Sequence, residues 1–184
     1  MDTFELVITL LSFIYALALA HLLQGATDLL FARKRVRFSL AHALWALLAL
    51  LAMFGNWLSL FSLRDVDWTV QLIILEFLLA IIVYFACSLL IPPKAEEGPI
   101  DLVAFVRIDG WLFKAPYVPL VGLVLAVQFS FAQYRAEAEN VGALIEALVM
   151  LGLVAVSIWR RERWVQIVTP AILIAAALPE LAVG

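Results

Sequence analysis

The chain carries a single cysteine, Cys87, and only two histidines, His21 and His42. One cysteine excludes an intrachain disulfide and any cysteine-based metal cluster. Two histidines would ligate a haem only from opposite faces at one depth. Read on an antiparallel hairpin, His21 lies about eight residues deeper than His42, or roughly 12 Å. Charged residues make up 15% of the chain, against about 25% in soluble domains. That leaves no basic soluble surface for nucleic acid. No HExxH, GxSxG or P-loop sequence occurs, nor a TVGYG filter, an arginine ladder or a mid-span lysine. No cofactor or metal is expected, and an enzyme is the less favoured class. The leader before Phe4 contains no basic residue. A cleavable secretory signal needs one, so the first apolar run is read as a retained helix.

What the chain has is hydrocarbon. Hydrophobic residues are 66% of its 184 positions, with a mean hydropathy of +1.07. A spanning helix needs roughly 20 mostly apolar residues. Six stretches meet that demand: Phe4–Phe31, Ser39–Phe61, Thr69–Ile91, Tyr117–Gln133, Val141–Trp159 and Trp164–Leu181. The expected fold class is an all-α integral membrane protein, a bundle of six transmembrane helices with short loops. It forms one polytopic domain over residues 1–184.

Charge sets the expected orientation. Lys and Arg collect on the cytoplasmic side of membrane proteins. Arg33, Lys34, Arg35 and Arg37 follow the first span; Lys94, Arg107 and Lys114 follow the third; Arg160, Arg161 and Arg163 follow the fifth. Those ten of the 12 basic residues share one side, and Arg64 and Arg135 lie on the other. Both termini are therefore expected on the outer side, in a bacterial cytoplasmic (inner) membrane. Trp68 and Tyr134 fall at the outer ends, while Trp111, Tyr117, Trp159 and Trp164 fall at the inner ends, where amphipathic rings favour the headgroup level. Trp45 and Trp57 fit neither belt and should face other helices. The long connection, 92–116, starts at Pro92-Pro93. It reads as loop anchoring, as a short interfacial helix, or as an extension of the fourth span bent at Pro116 and Pro119.

Small residues at four-residue spacing let helices approach in lipid. Ser12, Ala16 and Ala20 form one such seam, and Gly122, Ala126 and Ser130 another. On the second span, His42, Trp45, Ala49, Ala52, Asn56 and Ser59 make a stripe expected to face inward.

Polar groups inside spans are the candidate site. An aspartate at mid-helix costs about 2.5–3.5 kcal/mol on translocon scales, so Glu76 and Glu146 demand explanation. Counted from the outer loops, Glu76, Glu146, Asn56 and Gln128 lie roughly 10–14 Å deep at 1.5 Å per residue, and Ser12 reaches the same level. Converging, these five would line a hydrated pocket open to the outside. In the inner half, His21, Gln24 and Asp28 follow one another on the first helix. Asp28 and His42 should meet across the hairpin, as a pH-sensitive gate or a polar anchor. The expected function is a small channel or transporter for a cation, proton or small solute, using the intramembrane carboxylates. Its alternatives are an accessory or assembly subunit of a larger membrane complex and a membrane-embedded enzyme acting on a lipid or quinone. The expected partners are the lipid bilayer and either further copies of the chain, as a homo-oligomer, or other subunits of a complex.

Overall fold

The structure, a computed structural model, describes residues 3–93, 98–130 and 137–183, with the side chains at 128, 130, 137–140 and 179–183 outside the description. It is all-α but for one two-residue strand pair. The helices are α1 (Thr3–Phe31), α2 (Leu40–Ser62), α3 (Val70–Ser88), α4 (Leu102–Ile108), α5 (Gly110–Lys114), α6 (Tyr117–Ser130), α7 (Glu137–Trp159) and α8 (Arg163–Val183). Their starts are written in the sequence. Ser39 accepts from the His42 amide and Thr69 from the Leu72 amide, each as an N-cap.

Five of the stretches, including the run Gly110–Val127 through α5 and α6, are long and apolar enough to cross a membrane. The sixth, α8, runs for 21 residues, and the part whose side chains are described, Arg163–Leu178, is apolar. It turns Gln166 and Thr169 into the interior, both under 5% exposed.

The long helices form a ring. α2 packs on α3, α3 on α6, α6 on α7, α7 on α8, and α8 back on α2. α1 lies outside this ring against α3 and α2. α3, the most shared wall, buries Leu72, Glu76, Leu79, Ala80, Val83, Ala86 and Cys87, a stripe at three- and four-residue steps.

The packing of α1 departs from the small-residue expectation. Its buried face is Val7, Leu11, Tyr15 and Ala18, while Ala16 and Ala20 are exposed. The closest approach comes at Gly25, where an added Cβ would fall 2.6 Å from the Ile91 side chain. Small residues do enter this contact, at Ala18 and Gly25, but they are not the Ala16 and Ala20 of the expected seam. The α2 stripe fares better: His42, Trp45 and Ala49 are buried, Ala52 and Asn56 are half-buried, and only Ser59 is exposed.

The long connection folds rather than loops. Asp101 caps α4 by accepting from the Val103 and Ala104 amides. β1 (Val36–Arg37) pairs with β2 (Ile100–Asp101), and Arg37 bridges Asp101 at 3.1 Å. α4 rests on α2, while α5 packs against both α3 and α7. Those two walls are not neighbours in the ring, so α5 plugs its basic end. Phe113 and Lys114 enter the interior, at 0% and 2% exposure.

Candidate functional site

Of the five groups expected to share an outer pocket, the four whose side chains are described take separate environments. Glu76 points inward and is buried. Among the described residues it makes no hydrogen bond or ion pair, and its electrostatic neighbour is the buried Tyr15 hydroxyl on α1. Glu146 points outward and is exposed. The reason is angular. α7 packs through Ala147, Val154 and Ser157, and Glu146 stands about 100° around the helix from Ala147. Asn56 donates to the carbonyl of Ala52 in its own helix, at 2.7 Å. Ser12 accepts from Trp57 Nε1 at 3.1 Å, a cross-link between α1 and α2. The Gln128 side chain falls outside the described residues.

In the inner half, His42 takes a backbone partner. His42 is buried, with Nε2 2.8 Å from the Leu90 carbonyl, and its ring stands 5.9 Å from that of Phe105. A carbonyl only accepts, so Nε2 carries the proton. Asp28 is half-buried at the rim of an open groove shared with Arg33, Lys34 and Arg35. His21 is exposed, beside Tyr84. Cys87 lies buried with Sγ 3.9 Å from the Ala49 carbonyl, a packing role. No group of three metal-ligating side chains occurs among the described residues.

The polar cluster that does form was not expected from the sequence, where Lys114 counted only as a loop charge. Lys114 Nζ donates to Gln166 Oε1, and to the Ser157 carbonyl at 3.3 Å. Gln166 Nε2 donates to the Ser157 and Arg160 carbonyls, each at 2.7 Å. Only an NH₂ group can satisfy two carbonyls, so the amide orientation is fixed and its oxygen must face the lysine. The ammonium also stands over two rings, 5.6 Å from the centroid of Trp45 and 5.5 Å from that of Phe113. Cation–π attraction strengthens when desolvated. Gly110 makes the room: a Cβ there would come 3.0 Å from Nζ.

Three features give this cluster chemical interest. Lys114 has no carboxylate partner among the described residues. Two buried donors near it, Trp45 Nε1 and the Tyr117 hydroxyl, also lack hydrogen-bond partners there. A cavity of about 10 Å³ adjoins Lys114, Gln166 and Ser157, with Arg107, Arg161 and Trp111 at its edge. The sequence signal was faint. Gly110 and Lys114 are one helical turn apart, but only if the segment before Pro116 is helical, and Gln166 comes from a distant stretch.

Long apolar helices closed into a ring around a buried core define a helical bundle of the integral membrane class. Comparison with protein families, curated proteins and solved structures finds no match to the chain.

Proposed function

We propose that the protein is a subunit of a larger membrane assembly, with the outer face of α7 as its contact surface. One observation carries this reading: Glu146 is exposed on an otherwise apolar helix face. It lies nine residues after Glu137 and 13 before Trp159, about 14 and 20 Å from the two helix ends. Val141, Leu144, Ile145, Leu148 and Val149 around it are exposed too. Acidic groups at such depth almost always face a bundle interior, a water-filled cavity or a partner. Of the five spans, α7 is also the least covered by the rest of the chain. A neighbouring helix that brings a hydrogen-bond donor or a cation to Glu146 would relieve the carboxylate.

Extraction from native membranes in neutral detergent, followed by native mass spectrometry, tests this. The expected result is one heterologous partner in fixed ratio, lost in Glu146→Leu while the fold stays intact. Repeated copies of the chain alone would put a second copy on α7 instead. A monomer indifferent to the substitution would overturn the reading.

A second reading, conduction of a proton or cation, is favoured by Glu76. A buried carboxyl beside the Tyr15 hydroxyl, without an ion-pair partner among the described residues, is a group that could carry a proton. Under that reading Glu76→Gln abolishes flux into liposomes containing the purified protein. Absence of flux in the unmodified protein would remove it.

A further inference from the structure

We infer that the basic end of the bundle holds a phosphate anion on Lys114, Arg107 and Arg161, supplied by the headgroup of an anionic phospholipid. The inference is independent of what covers α7.

The first ground is an unmatched charge. Lys114 is 2% exposed, and its two hydrogen-bond acceptors are a neutral amide oxygen and a backbone carbonyl. An ammonium has three N–H donors, so one remains without an acceptor among the described residues. Gln166 cannot change roles to help, because both its amide hydrogens are held by carbonyls. Burying a charge without a counter-charge is costly, and an external anion would lower that cost.

The second ground is an opening of matching size. The cavity beside Lys114 measures about 10 Å³, close to the volume one water-sized group needs. It admits a single oxygen, not a whole phosphate. The rest of the anion would lie at the mouth, where Arg107 and Arg161 are both exposed. Neither arginine forms an ion pair among the described residues, and the nearby Glu162 is engaged by Arg160 at 3.4 Å. Among the described residues no Asp or Glu lines the cavity. Guanidinium groups suit phosphate oxygens because their N–H fork donates two parallel bonds.

The third ground favours a lipid over a free ion. Trp111 and Ile108 border the same cavity and are more than half exposed. Trp159 and Trp164 stand exposed at the same end of α7 and α8. Such rings mark the headgroup level. An amphiphile could lay its phosphate on the arginines and its acyl chain along Ile108. Basic pockets between helices at this level are suited to acidic headgroups.

The test uses delipidated protein in dodecyl maltoside, challenged with phosphatidylglycerol, with phosphatidylcholine of the same acyl chains, or with inorganic phosphate. Native mass spectrometry reads retained lipid, and thermal unfolding reads stabilisation. Phosphatidylglycerol should be retained and raise the midpoint, with phosphatidylcholine doing neither. Arg107→Gln/Arg161→Gln changes only exposed side chains and should weaken phosphatidylglycerol retention roughly 30-fold. Lys114→Met should erase the preference between the two lipids. If that core variant fails to fold, the double arginine variant decides. Stabilisation by inorganic phosphate equal to that by phosphatidylglycerol would keep the anion site and reassign its source. Equal retention of the two lipids, or unchanged binding by the double variant, would overturn the inference.

Discussion

The two ends of the bundle treat polar side chains in opposite ways. At the basic end, Lys114, Gln166 and Ser157 from three different helices share partners inside the core. Toward the other end the described polar groups are handled singly or in one pair. Ser12 and Trp57 pair, Asn56 returns to its own helix, Glu76 is buried and Glu146 turns away. Equal depth therefore does not make a site. Depth follows from counting residues along a helix, whereas convergence depends on the angle around it. α5 meets the angular condition because it crosses between α3 and α7, which are not neighbours in the ring.

Breaking the basic-end network gives the largest effect expected from that contrast. Gln166→Leu leaves the buried Lys114 ammonium short of an acceptor and uncovers two carbonyls. Loss of one partner from a buried charged hydrogen bond costs about 3 kcal/mol. Adding Lys114→Met should recover part of that loss, because the charge that needed the acceptor is gone. Reversible unfolding in mixed micelles measures both. A Gln166→Leu protein as stable as the parent, or strictly additive losses, would mean that the three residues are neighbours without coupling.

The helical bundle was legible because hydropathy and capping are local. The apolar runs exceed the thickness of hydrocarbon, and Ser39 and Thr69 stand where their helices begin. The direction of Glu76 was not read from the sequence, which supplied its depth alone, since α3 is apolar nearly all round. Glu146 was not placed correctly because α7 is apolar nearly all round. Its packed face, Ala147, Val154 and Ser157, is chosen by α6 and α8 rather than by its own pattern. Lys114 was missed for a related reason. Next to Pro116 and among other basic residues it looks like a topology charge. Only the tertiary path of α5 turns it inward, against Trp45 of α2 and Gln166 of α8. Its partners lie 69 positions before it and 52 after it in the chain, beyond the reach of any local pattern.

A smaller effect sharpens the comparison from the surface of the same end. Asp101 is held below the ordinary aspartate range, first by the Ala104 amide at the start of α4 and then by the Arg37 guanidinium. The folded state therefore favours the charged carboxylate more than the unfolded chain does. Its contribution is complete above the unfolded value, about 3.9, and is lost as pH falls through the lower folded value. Asp101→Asn retains a capping oxygen but not the charge. It should be slightly less stable than the parent at pH 6, with the gap closing as the solution is acidified below that range. The exposed pair sits in water, where such bridges contribute little, so the change should be far smaller than for Gln166→Leu. A gap that persists at low pH would assign the difference to cap geometry. A gap as large as that of Gln166→Leu would mean that the strand pair and α4 unfold together with the Lys114 core, and the basic end would then be one cooperative unit from its surface to its interior.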